Sequence, residues 1–204
     1  MVYRHSLIAR ITHITFFLSF LVLALTGTQM FLHRHWLHLN VGHIHEYVGL
    51  AMLASGIVYV GNGLVSGELG KLLYTPADNA GMWPMIAYYL RLRKAPPQYD
   101  DYNPLQKLSY TMVLLLIGPL IAATGIAMWT KTGGRAMGLL HLGFALELVL
   151  FFFGHTIMVA TTGLWNNVRS MITGWYRRPA HQAAVTPERA PTTAQSREAS
   201  LTRA

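Results

Sequence analysis

MGLLHLGFALELVLFFFGHTIMVATTGL, residues 137–164, holds two histidines and one acid in a run that is otherwise uncharged. A helix needs roughly 20 apolar residues to cross the hydrocarbon of a bilayer, and this stretch is longer than that. His141 and His155 stand 14 residues apart. That is about four turns, so the two side chains share one helix face and lie about 21 Å apart along its axis.

Three further runs have the same character. Between Arg10 and Arg34 lie 23 uncharged residues, between Glu46 and Glu68 lie 21, and between Lys107 and Lys131 lie 23. The pattern predicts an all-α membrane protein, a four-helix transmembrane bundle with helix I over about 11–32, helix II over 44–66, helix III over 106–129 and helix IV over 137–164. The first run is too long for the apolar core of a signal peptide and no A-x-A-like site follows it, so it is expected to stay as an anchor. Of 204 residues, 52% are hydrophobic and only 12% charged, against about 25% charged in an ordinary soluble domain.

Lys and Arg count 13 over the N-terminus, the second loop and the C-terminal end, and 3 over the first and third loops. By the positive-inside rule both termini are then expected on the cytoplasmic side of the membrane. The +8 formal net charge is thereby a topology signal spread over separate loops, which argues against nucleic-acid binding. Trp36 and Trp129 fall near one interface, with Trp83, Trp165, Trp175 and Tyr176 near the other, as aromatic belts require. In the second loop, Met82 to Lys94 reads either as a short interfacial helix or as a solvated connector. The membrane domain spans 1–179; the remainder, 180–204, has too few apolar residues to offset its ordering entropy and is expected to be a disordered cytoplasmic tail.

Cysteine is absent, which excludes thiolate metal sites, iron–sulfur ligation by this chain and cysteine nucleophiles. Of ten histidines, four fall at matching depths. His13 lies at the inner end of helix I, level with His155, and His45 at the outer end of helix II, level with His141. The arrangement predicts two stacked bis-imidazole sites, His13 with His155 and His45 with His141. Zinc uses three or four protein ligands, whereas haem supplies four equatorial nitrogens and takes only two from the protein. Two haems therefore explain the ligand count. Gly27, 14 residues after His13, and Gly118 and Gly125 on helix III suit either close approach to a porphyrin or ordinary helix packing. His43, about 200° around the helix from His45, cannot share its face. His33, His35 and His38 read as loop histidines, His5 as interfacial and His181 as part of the tail. Glu147, buried by position, suits a protonated hydrogen-bonded acid or a proton path.

On these residues the chain resembles the bacterial di-haem cytochrome b family: gamma subunits of formate dehydrogenase, cytochrome b subunits of nickel-iron hydrogenase, and anchors of thiosulfate or polysulfide reductases. The likeness runs from Arg4 to Pro179. It rests on RITHITFFLSFLVLALTG (10–27), HEYVG (45–49), YNPLQKLSY and TGIAMW within 102–129, and the pair His141 and His155. The resemblance implies the same four histidine ligands, with no catalytic residue in this chain. It also implies a quinone site near the start of helix III with Asn103 and Gln106 on its motif, and partners that include an iron–sulfur subunit and a molybdopterin or nickel-iron catalytic subunit. YNPLQK equally reads as a helix cap. Glu46 stands where the family often has Pro, and the loop from Tyr89 to Lys107 is similar to the sulfur-compound reductase anchors, so the donor is left open. Two rival readings are a haem-free, His-lined metal-binding or transport protein and a purely structural anchor for a peripheral enzyme.

Overall fold

A computed structural model of the chain describes residues 1–95, 97, 99 and 102–177; the expected tail, 180–204, lies outside the described residues. In chain order the elements are β1 (Val2–Tyr3), α1 (Leu7–Phe31), α2 (Val41–Ser66), α3 (Leu69–Leu72), a 3-10 turn (Pro76–Asp78) and α4 (Asn79–Tyr89). There follow α5 (Pro104–Met112), a π-helical stretch (Val113–Ile117), α6 (Gly118–Trp129), α7 (Gly134–Thr161), α8 (Leu164–Thr173) and β2 (Trp175–Tyr176).

Four helices are long and apolar enough to cross a membrane: α1, α2, the continuous run Pro104–Trp129, and α7, with 25, 26, 26 and 28 residues. At 1.5 Å per residue they are about 38 to 42 Å long, more than the roughly 30 Å of hydrocarbon. The protein is a four-helix membrane bundle. All four spans begin a few residues before the hydropathy boundary, and polar caps start three of them. Ser6 Oγ accepts from the Ala9 N–H at 3.2 Å and Asn40 Oδ1 from the His43 N–H at 3.3 Å. Asn103 and Gln106 form a reciprocal capping box, each side-chain oxygen accepting the other's backbone N–H at 2.9 Å, with Pro104 in the first helical position, where its missing N–H costs nothing.

The third span is not a regular α-helix. Pro119 has no N–H to give, and its ring would clash with a carbonyl one turn back. The helix widens before it, and the Gly118 N–H donates to the carbonyl of Val113, five residues earlier. A Cβ on Gly118 would stand 2.8 Å from that carbonyl oxygen. The close approach that Gly118 permits within the protein is to its own helix.

Burial is inverted relative to a soluble protein. Every buried residue of α1 is polar: Thr12, Ser19, Thr26 and Gln29. Its exposed positions are large and apolar, among them Ile11, Ile14, Phe17, Leu18, Leu21 and Leu25. Lipid solvates the apolar side chains, while small polar groups gain by packing between helices, where their hydrogen bonds are met. The spans associate as two antiparallel hairpins, α1 with α2 and α6 with α7. The hairpins meet through ring contacts such as Phe20 on Phe152, 4.6 Å between centroids.

One end of the bundle, here the terminal end, carries both ends of the described chain. β1 pairs antiparallel with β2, Val2 opposite Tyr176. Arg4 lies over the rings of Tyr102 and Tyr176 at 5.3 and 4.7 Å, and Arg10 Nη1 donates to the Ile172 carbonyl at 2.6 Å. The left-handed Gly163, φ 113°, breaks the chain away from α7. In α8, Leu164, Trp165, Val168 and Ile172 are exposed at helical spacing, the apolar face of a helix lying along a membrane surface. The loop segment left open between helix and connector forms α4, which buries Met85. Tyr99 Oη donates to the Gly81 carbonyl at 2.9 Å, and Lys107 Nζ donates to Asp78 Oδ1 at 2.9 Å, tying this loop to the start of the third span.

Candidate functional site

At the end of the bundle away from the termini, here the distal end, the rings of His45 on α2 and His141 on α7 face each other, 6.2 Å between centroids and 69° between planes. Each is held from behind by the other helix of its hairpin. His45 Nδ1 lies 2.9 Å from Thr26 Oγ1 on α1, and His141 Nδ1 lies 3.1 Å from Thr124 Oγ1 on α6. Both hydroxyl protons are already committed to their own helices, Thr26 to the Val22 carbonyl at 2.7 Å and Thr124 to the Leu120 carbonyl at 2.8 Å. Each threonine therefore accepts, and each histidine donates from Nδ1. For His141 the assignment has a second support, since the Ile121 carbonyl, which can only accept, is 3.0 Å from the same nitrogen. With Nδ1 carrying the proton, Nε2 keeps a free lone pair.

Glycine follows threonine in both places. A Cβ on Gly27 would come within 3.3 Å of His45 Cε1, and one on Gly125 within 3.1 Å of His141 Cε1. These two glycines leave room for the neighbouring imidazole rings.

About 21 Å along the axis, four turns away, His13 on α1 and His155 on α7 form the second pair, 6.1 Å between ring centroids and 49° between planes. Aromatic rings surround it. Phe151 stacks on His155 at 5.6 Å and Tyr110 meets it edge-on at 6.2 Å, and Tyr110 in turn contacts Tyr102 at 5.8 Å. His155 Nδ1 is buried without a hydrogen-bond partner.

The two spacings fit the group the sequence implied. With about 2.0 Å from metal to each imidazole nitrogen, and about 1.1 Å more to each ring centre, two rings gripping one metal from opposite sides stand roughly 6.2 Å apart. Both pairs, at 6.1 and 6.2 Å, come within about 0.1 Å of that value. Among the described residues no group of three or more His, Cys, Asp or Glu could hold a metal ion unaided, which is what a haem-free zinc-type site would require.

The other expected residues lie elsewhere. Asn103 and Gln106 sit at the terminal end, where the third span begins. Their side-chain oxygens are used in the capping box, so the cap reading of YNPLQK holds; the Asn103 amide also bonds the Tyr89 hydroxyl, partly offsetting the rise that burial gives that phenol. Glu147 is exposed on α7, which corrects the expectation of a buried acid. It lies about 120° around the helix from His141 and about 80° from His155, to one side of the histidine face. His43 is exposed and pairs with Glu46, Nδ1 to Oε2 at 3.3 Å, turned away from His45 as its spacing required. His33, His35 and His38 are not buried. His5 lies beside Arg4 at the terminal end, where burial first and neighbouring positive charge second push its imidazole down to about 4, so it is neutral at pH 7.

Reading the sequence passed over Thr26, Thr124, Tyr110 and Phe151. The Thr-Gly dipeptide was visible, but it recurs at 132–133, 162–163 and 173–174, where it has no such role.

No curated protein and no solved structure gives a match to this chain. The family model for prokaryotic cytochrome b561, however, matches residues 4–174, which takes in all four spans and both histidine pairs. A four-helix membrane bundle with facing imidazoles is what such a haem protein needs, and the chain belongs to the prokaryotic cytochrome b561 family, membrane cytochromes that bind b-type haem and transfer electrons.

Proposed function

We propose that this chain is the membrane-anchoring cytochrome b subunit of a respiratory oxidoreductase of the formate dehydrogenase type. It holds two b-type haems, one between His13 and His155 and one between His45 and His141, and links an iron–sulfur subunit and its molybdopterin or nickel-iron partner to quinone. The observation that carries this reading is the repetition of one imidazole pair, at 6.1 and 6.2 Å, at two depths. When bound, haem would be held by the imidazoles of His13 and His155 and of His45 and His141, and would supply one-electron transfer.

The chain's own residues set the rest. α7 contributes one ligand to each pair and so fixes their separation. The polar seam of α1 keeps the helices close, and lipid-facing side chains keep water from the mid-membrane region. The Lys and Arg distribution supports a cytoplasmic terminal end, with both termini there and the membrane a bacterial inner membrane. Quinone then binds on that side near His155. The side-chain amide N–H groups of Asn103 and Gln106, which the capping box does not use, serve as donors to its oxygens, and protons are drawn from the cytoplasm as it is reduced.

A pyridine haemochrome assay of the purified full-length chain tests the reading. Two haem b per chain are expected in the wild type and none in the double variant His141→Ala/His155→Ala. Stoichiometric metal without haem, or full haem in the double variant, overturns it.

A further inference from the structure

The two Thr-Gly dipeptides form a repeated device. In each, a buried threonine, Thr26 at 1% and Thr124 at 6% exposure, has given its only proton to the carbonyl four residues back and presents lone pairs to Nδ1 of a histidine on the neighbouring helix. In each, the adjacent glycine is the residue whose missing Cβ admits that histidine's Cε1. The two copies come from different hairpins, α1 serving α2 and α6 serving α7, and they converge on one pair. The other pair has no matching support at His155, whose Nδ1 is buried without a partner.

We infer that Thr26–Gly27 and Thr124–Gly125 are imidazole cradles that fix the tautomer of His45 and His141 and make them electron-rich ligands, so that the distal haem has the lower reduction potential of the two. This rests on the two-haem reading above. An Nδ1–H that donates to a fixed acceptor strengthens the donor power of Nε2. A stronger axial donor stabilises oxidised iron over reduced iron, and hydrogen bonding around the ligands is one of the protein's means of setting haem potential. Both distal ligands donate this bond, His45 to Thr26 and His141 to Thr124 and Ile121, while His155 Nδ1 has no such acceptor. Electrons are thereby favoured to rest at the terminal end. Thr26 and Thr124 are positioning residues, since they touch the ligands and not the iron.

The test is a redox titration of the haem absorption band in the full-length wild type and in Thr26→Val, Thr124→Val, Thr26→Ser and Thr124→Ser. The potential that disappears in His45→Ala identifies the distal haem. Each valine, which keeps the shape and loses the acceptor, should raise that potential alone, and the two together should raise it further. Each serine should return it to the wild-type value. Loss of the distal haem only in a valine variant, regained with serine, also supports the cradle. Unchanged potentials in both valine variants, equal shifts of both haems, or serine variants that behave as valine overturn it. A wild-type chain without haem instead overturns the two-haem reading itself, so the two failures are distinguishable.

Discussion

The distal and terminal histidine pairs have the same ring spacing within 0.1 Å and opposite surroundings. At the distal pair, polar groups on the backs of the rings fix which nitrogen carries the proton, and glycines fix how close the neighbouring helix comes. At the terminal pair, aromatic faces do the holding: Phe151 and Tyr110 wedge His155, and no hydrogen bond orients its Nδ1. One site is set by directional bonds and the other by shape. Damage should therefore follow different rules at the two ends.

The sharpest break in the comparison is steric. A methyl group on Gly125 meets His141 Cε1 at 3.1 Å, and His141 cannot retreat without losing Thr124 and Ile121. Gly125→Ala should weaken distal haem binding by about 10–100-fold, the usual cost of disturbing groups behind a metal ligand, and leave the terminal haem in place. Gly27→Ala, with 3.3 Å available, should do less. Haem content by haemochrome and optical spectrum checks both; equal losses at the two sites would erase the distinction.

Removing shape at the other end should have a moderate effect. Phe151→Ala deletes the ring stacked on His155, worth about 0.5–1.5 kcal/mol for an aromatic pair beyond its buried area. Broadening or loss of the terminal haem signal is expected, with the distal one unchanged. A shift of the distal signal instead would show that the two sites are not independent.

The smallest effect concerns the brace under the terminal end. The hydrogen bond from Lys107, then that from the Thr75 backbone, hold the Asp78 carboxyl below the ordinary carboxylate range. A lowered folded value means that the stabilisation is complete above the unfolded value of about 3.9 and is lost as pH falls through the folded one. Asp78→Asn should lower the thermal midpoint by a few degrees at pH 7 and by less near pH 3. A deficit that stays constant with pH would show that the ion pair contributes nothing.

The four spans and the histidine pairing were legible in the sequence because both depend on one-dimensional quantities: the length of uncharged runs, and a 14-residue spacing that four turns convert into a shared face. Helix starts were less so, since hydropathy marks where charge stops while Ser6, Asn40 and Asn103 start the helices earlier. The π-helical stretch had its signal in Pro119, which hydropathy does not register. Glu147 was misplaced because depth was read and angle was not; six residues turn it away from His141. The cradles were least legible. A threonine on α1 meeting a histidine on α2 depends on the rotation of two helices about each other, and no spacing within either helix encodes that.

The pairing of β1 with β2 joins residues more than 170 positions apart in the chain. Both imidazole pairs also join distant parts of the chain, because each takes one ring from the first hairpin and one from α7. A nascent chain leaving the ribosome with three spans inserted has neither pair complete, so a grip on any prosthetic group closes only after the fourth span enters the bilayer. Truncation before α7 should leave a membrane-inserted but colourless protein, and biogenesis is ordered as insertion first and cofactor capture second.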